Sequence, residues 1–266
     1  MYLEKETAFA VSFFLDSYGK IYCRIIWIFI NRERLVTHME QITIKPIARM
    51  RSDFPTKFGI PRQSNLVDEL ESTIVFEPEF RNPDALRGIE GYSHLWIIWQ
   101  FSEAVRQEWS PTVRPPRLGG NTRMGVFATR SPFRPNNLGL SCVKLVCIEQ
   151  SAEGTVLKVS GADLMDGTPI FDIKPYIPYS DSFPEALGGF TDNAADFLLS
   201  VDFPSHLLEQ LPENKRQAAV GVLSHDPRPS YQRKPDRIYG LNFAGFDIRF
   251  TVQENTLTVC EVRKCI

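Results

Sequence analysis

The sequence predicts a mostly β protein, a sandwich or small barrel followed by an α+β domain, and three observations lead there. Nineteen Pro and sixteen Gly in 266 residues cut the chain into short segments. β-branched and aromatic residues dominate those segments. Turn-forming residues separate them, as in all-β folds. The runs at 42–48, 73–76, 94–101, 123–129, 140–149 and 155–164 read as strands of one core between residues 39 and 184. A composition shift follows, and residues 185–266 read as a smaller domain. Within it 192–201 and 204–222 carry helical spacing, with Asp192 and Pro204 as N-terminal signals, and 237–243, 246–252 and 256–262 alternate like strands. Residues 1–38 mix aromatics and charges without a period. They read as an extension ahead of a fold that starts at Met39, and the rival reading makes them a peripheral strand and helix.

The bulk properties narrow the function. A 43% apolar and 23% charged composition is that of an ordinary globular chain. A formal net charge of −2 argues against indiscriminate nucleic-acid binding, so any basic surface must be local. Five cysteines form no Cys-x-x-Cys pair and point to reduced thiols and a cytoplasmic location. The apolar run at 25–30 is far below the roughly 20 residues of a membrane span. Glu4, Glu6, Lys20 and Arg24 disagree with a signal peptide. No metal-ligand motif, P-loop, nucleophile elbow or dinucleotide-binding glycine motif is present, so the commonest methyltransferase design has no support.

Chemistry concentrates in two places. Between residues 106 and 134 stand Arg106, Arg114, Arg117, Arg123, Arg130 and Arg134, against one acidic residue, Glu108. Guanidinium forks suit phosphates and carboxylates, and Trp109, Phe127 and Phe133 are stacking surfaces for bases. Structural pairing is the plainer account of an arginine cluster, but six arginines in a loop rich in Pro and Gly favour function. The second place is Asp163, Asp166, Gly167, Thr168, Pro169, Asp172, Lys174 and Tyr176. Taken alone, its Asp-Gly-Thr-Pro segment is a hairpin turn. His94, beside an apolar strand, has no assigned role. Residues 225–231 form a proline-stiffened exposed loop with Asp226, Arg228 and Tyr231.

Taken together, Pro61-Arg62-Gln63, Ser93-His94-Leu95-Trp96, Arg114-Pro115-Pro116-Arg117, the long run from Arg123 to Asn136, Asp163-Leu164-Met165-Asp166-Gly167-Thr168-Pro169 and Asp172-Ile173-Lys174-Pro175-Tyr176 resemble the TsaA/TrmO family. Asp226-Pro227-Arg228-Pro229-Ser230-Tyr231 resembles the motif of that family's bacterial C-terminal domain. The family comprises tRNA (adenine-37-N6)-methyltransferases that act on N6-threonylcarbamoyladenosine beside the anticodon. The resemblance implies a small single-sheet β-barrel that binds S-adenosyl-L-methionine, and a homodimer with cofactor sites near the subunit interface. It implies cofactor contacts at Arg62, Gln63, Arg130, Leu140 and the turn Asp166, Gly167, Thr168 and Pro169, with Gln100 and Phe101 as further candidates. Asp226, Arg228 and Tyr231 are then substrate or partner-subunit contacts, and Arg114, Arg117, Arg123 and Arg134 meet tRNA. Methyl transfer from a sulfonium needs no metal. The weakly nucleophilic acceptor nitrogen calls for a proton acceptor, with Asp172 or Tyr176, tuned by Lys174, as candidates. The alternative is a regulatory barrel that binds S-adenosylmethionine or tRNA without turnover. Because the motifs begin after Met39, a chain truncated to start there is expected to fold and to keep nearly all methyl-transfer activity. Loss of cooperative unfolding in that truncation would place residues 1–38 in the fold.

Overall fold

The computed structural model describes residues 42–105, 108–118, 120–192, 198–228 and 237–265. By internal contacts the chain divides into Met1–Ile44 and Lys45–Ile266, and the second unit is described here. Its strands are β1 (Ala48–Arg51), β2 (Glu71–Phe76), β3 (His94–Gln100), β4 (Thr112–Val113), β5 (Met124–Gly125), β6 (Leu138–Ser151), β7 (Gly154–Ser160), β8 (Pro169–Pro175), β9 (Ser200–Asp202), β10 (Tyr239–Phe243), β11 (Phe246–Gln253) and β12 (Thr256–Lys264). Its α-helices are α1 (Pro178–Asp181), α2 (Ser205–Leu208) and α3 (Glu213–Ser224). The fold is mostly β.

Six strands pair in the cyclic order β1-β2-β7-β6-β3-β8, a closed barrel. Alternation along β3 sends Leu95, Ile97 and Trp99 inward and leaves His94, Trp96, Ile98 and Gln100 on the outer face. Met50, Ile74, Val143, Leu157, Val159 and Ile170 fill the same core. The 14-residue β6 serves two neighbours, β3 through Lys144 and β7 from Lys144 onward, with a register shift between Leu145 and Cys147. Such a bulge bends a strand and lets one segment turn a barrel corner. Gly139 lies opposite Trp99, and a Cβ there would sit 2.3 Å from the indole, so the glycine makes room for the ring.

Two strand expectations shift. The run at 42–48 forms a strand only from Ala48, since Pro46 has no N–H to give a ladder. The run at 123–129 contributes only the two-residue β5 and a 3₁₀ turn, Val126–Ala128. The sixth place in the ring belongs instead to β8, bounded by Pro169 and Pro175 and bulged between its pairs with Ile98 and Trp99. The Asp-Gly-Thr-Pro turn does precede a strand, as its two strand-like flanks suggest, but it closes no hairpin: β7 pairs with β2 and β6, whereas β8 pairs with β1 and β3.

The second sheet has the order β10-β11-β12-β9, an antiparallel meander with β9 added in parallel. Residues 200–202 are therefore strand rather than helix, and 193–197 of that expected helix lie outside the described residues. The expected helix at 204–222 is split into α2 and α3, with Pro212 capping the second. Helix α3 buries Ala218, Ala219, Val222 and Leu223 in a core with Leu241, Phe243, Ile248, Phe250 and Leu257.

That core also takes Phe54, Val67 and Leu70 from the segment between β1 and β2. Phe54 is fully buried against Phe243, ring centroids 5.4 Å apart. Lys215 Nζ pairs with Asp53 Oδ2 at 2.6 Å, the Ala244 N–H donates to the Asp53 carbonyl, and His225 Nε2 donates to the Leu66 carbonyl at 2.9 Å. A Cβ on Gly221 would lie 2.7 Å from Val67 Cγ1. Alanine in a helix interior ordinarily stabilises by about 1 kcal/mol over glycine. Here Gly221→Ala is expected to lower stability by about 1–3 kcal/mol through overpacking, read from urea unfolding. A gain would show that Val67 yields.

Candidate active site

The Asp166-to-Pro169 turn is laced to β1 and the segment after it. The Asp166 N–H donates to the Phe54 carbonyl and the Gly167 N–H to the Met50 carbonyl, each at 2.8 Å, while the Met50 N–H donates to Thr168 at 3.0 Å. Asp166 Oδ1 accepts the Ser52 N–H at 3.1 Å, and Arg49 Nη1 donates to the Gly167 carbonyl at 3.3 Å. Gly167 has φ +76°, which glycine adopts readily, and nothing lies within 4 Å of where its Cβ would be. The turn is thus a fixed backbone surface that a ligand can approach closely. Thr168 is buried.

Beside it lies a polar chain that links the candidate Asp163 to two residues without a signal in the sequence, Ser141 and Trp99. Trp99 Nε1 donates to Ser141 Oγ at 2.9 Å, and Ser141 donates onward to Asp163 Oδ1 at 2.5 Å. Burial pushes the Asp163 carboxyl above its usual range, although the Ser141 hydroxyl, the aspartate's own N–H and the positive charge of Arg130 oppose that. Exposed Arg130 donates through Nη1 to Gln63 Oε1, and Gln63 Nε2 donates to the Arg62 carbonyl at 2.6 Å. Gln63 and Arg130, 67 positions apart, therefore meet, and the charge of Arg130 reaches Asp163. Phe101 packs on Trp99 at 4.2 Å between ring centroids. Ser141 escaped notice because a serine in a strand has no periodic signature.

A second group occupies the outer face of β8, β3 and β6. Ile98 pairs with both Leu140 and Asp172, so these three share that face, and Leu140 is 57% exposed. Asp172 Oδ2 pairs with Lys174 Nζ at 2.8 Å, and its Oδ1 accepts the Ile173 N–H. Tyr176 packs edge-on to His94 and tilted against Trp96, at 6.2 and 5.8 Å. Trp96 Nε1 and the Ile177 N–H both donate to Asp181 Oδ2, which holds that carboxyl below its usual range. Gln100 pairs with Leu138 at the same face's end. Asp172, Lys174 and Tyr176 stand together there, with no direct contact to Arg130.

The remaining candidates divide. Arg228 is buried and forks onto Asp226 through Nε at 2.7 Å and Nη2 at 2.9 Å, so both side chains brace their own loop. Asp226 is held at φ +50°. Arg134 donates to the carbonyls of Thr129 and Ser131. Arg114 and Arg123 are exposed. Tyr231, Arg106 and the side chain of Arg117 lie outside the described residues. Among the described residues no group of His, Cys, Asp and Glu could hold a metal ion, and no helix is long and apolar enough to cross a membrane.

Comparison with known proteins supplies the class. Residues 49–182 match the family model of the tRNA-methyltransferase O N-terminal domain, and 196–265 that of the TrmO C-terminal domain. The tRNA (adenine(37)-N6)-methyltransferase of Escherichia coli is 38% identical over 224 residues, 81% of this chain and 95% of that protein. A Pseudomonas aeruginosa protein, provisionally named an S-adenosylmethionine-dependent methyltransferase, is 39% identical over 78% of this chain and 91% of its own length. The crystal structure of TrmO from P. aeruginosa superposes with a TM-score of 0.70 at 32% identity, covering 85% of this chain and 99% of that one. The chain belongs to the TrmO family of tRNA methyltransferases.

Because Asp163 binds its proton more tightly folded than unfolded, its contribution favours folding in acid and is lost as pH rises through the folded-state pKa. Asp163→Asn removes that titration and keeps an acceptor for Ser141. The variant is expected to melt above the wild type near about pH 8, with the difference vanishing toward about pH 4, the ordinary carboxylate range. Thermal unfolding across that range checks it, and a pH-independent difference would show that Asp163 is not the titrating group.

Proposed function

We propose that the protein transfers the methyl group of S-adenosylmethionine to N6 of N6-threonylcarbamoyladenosine at position 37 of tRNA, in the cytoplasm and as a homodimer. The observation that carries this reading is the meeting of Gln63 with Arg130, whose charge acts on Asp163, in a chain that matches the methyltransferase family in both parts. In this reading residues 39–184 are the barrel that binds cofactor, and 185–266 are the companion domain that helps to shape the substrate site.

The residues present suit such a cofactor. Arg62 and Arg130 are exposed cations for its carboxylate, and the open backbone at Gly167 admits a close polar contact. Leu140 and Phe101 offer apolar area, with Gln63, Gln100, Asp166, Thr168 and Pro169 completing the contacts. When bound, S-adenosylmethionine supplies an already activated methyl group on sulfur. The protein's task is alignment, for which positioning contributes up to about 7–11 kcal/mol. Asp172, held by Lys174, or Tyr176 accepts the N6 proton as the methyl–nitrogen bond forms. Arg114, Arg117, Arg123 and Arg134 neutralise phosphate, and Asp226, Arg228 and Tyr231 meet substrate or the partner subunit. A regulatory barrel that binds without turnover is the second reading, favoured only by the exposed, lysine-paired state of Asp172.

Arg130→Ala is expected to weaken S-adenosylmethionine binding about 10- to 100-fold, the loss of a charged hydrogen bond, with unchanged unfolding. Calorimetry checks it. Single-turnover assays should show rapid transfer to threonylcarbamoylated tRNA and poor transfer to the unmodified form. Equal rates would overturn the substrate, and no transfer to either would favour the regulator.

A further inference from the structure

The arginine-rich loop is built around a small antiparallel ladder, Thr112 with Gly125 and Val113 with Met124. The Val126 N–H extends it by donating to the Pro111 carbonyl at 3.0 Å. Buried Val126 and Pro115 pin the ladder to the body. Its two ends differ in chemistry. At one, Trp109 and Phe127 lie stacked, centroids 6.2 Å apart and planes 25° from parallel, yet they remain 51% and 72% exposed. At the other, where the ladder ends at Val113 and Met124, the chain continues into Arg114 on one strand and is preceded by Arg123 on the other. Both arginines are exposed, and neither has an ion-pair or hydrogen-bond partner among the described residues.

Neither end is explained by stability. Apolar area left in water forgoes about 25 cal/mol per Å², and two unpaired like charges at one end of a short ladder gain nothing from each other. Both features suit a ligand that brings a flat apolar ring and an anion on one short strand. Unpaired nucleotides carry both, since bases stack on aromatic faces and the backbone supplies the negative charge. A duplex offers the charge and conceals the ring. A peptide of acidic and aromatic residues is the competing ligand, and the test below separates it.

We infer that this ladder is the docking element for the unpaired anticodon-loop nucleotides beside the modified adenosine, with a base on the Trp109–Phe127 stack and phosphate between Arg114 and Arg123. The inference rests on the tRNA reading above, and it assigns to these four residues substrate capture and none of the cofactor binding.

The test measures full-length protein against a fluorescent RNA stem-loop with a seven-nucleotide loop, an RNA duplex of equal charge, and the same stem-loop competed by an acidic, aromatic-rich peptide. Trp109→Ala and Phe127→Ala should each weaken stem-loop binding about tenfold while duplex binding stays level. Arg114→Gln with Arg123→Gln should weaken both RNAs and flatten the salt dependence by about 0.7 for each phosphate no longer neutralised. All three variants should bind S-adenosylmethionine as the wild type does. Wild-type stem-loop affinity in the aromatic variants, equal loss on duplex and stem-loop, or displacement by the peptide at stoichiometric concentration would overturn the inference. Methyl transfer is assayed separately. If the aromatic variants lose stem-loop binding while wild-type protein transfers no methyl group, the docking element stands and the methyltransferase reading falls. If transfer proceeds with unaltered binding in all variants, the reverse holds.

Discussion

The burial of Phe54 is the constraint on which the rest of this architecture depends. The segment between β1 and β2 leaves the barrel, inserts Phe54, Val67 and Leu70 into the core of the second sheet, and returns. A large-to-small change at such a site removes transfer free energy and leaves a cavity, typically about 3–5 kcal/mol for a phenylalanine. The same segment carries Arg62 and Gln63 and, through Ser52 and the Phe54 carbonyl, holds the Asp166 turn. One excursion of chain thus joins the two sheets and sets the polar rim of Gln63 and Arg130, so the geometry of that rim and the integrity of the companion sheet are not independent variables.

The division of charged groups between two surfaces follows from strand alternation. Ser141 and Trp99 point inward, so the Asp163 chain lies toward the core, whereas Leu140 and Asp172 point outward with Ile98. A carboxylate near the core is raised by desolvation, and one on the outer face stays paired with a lysine in water. Two aspartates nine positions apart therefore have opposite environments.

Much of this was legible in the residues, for identifiable reasons. Inward and outward alternation in 94–100 and the late meander were written in period-2 patterns, and the long arginine and Asp-Gly-Thr-Pro motifs carried the family. Strand β8 was not legible as a member of the ring, because its prolines and polar residues mask alternation that only pairing with β1 and β3 reveals. Strand β9 was mistaken for helix because three residues are too few to show a period, and its pairing partner lies more than fifty positions later. Of the site, the meeting of Arg62–Gln63 with Arg130 was implied by resemblance alone, since no local pattern relates positions 67 apart. Arg228, expected to meet substrate or the partner subunit, also grips Asp226, a contact two residues away that an exposed-loop reading overlooks.

Strand order also decides where this protein can exchange partners. The six-membered ring satisfies both sides of each of its strands, whereas the four-stranded sheet ends in β10 on one side and the three-residue β9 on the other. Unpaired strand margins are templates for β-augmentation. Among the described residues of these two sheets, the Tyr239–Phe243 margin is therefore the longer of the two places where another chain's backbone can add in register. The barrel's closure leaves its own strands no such margin.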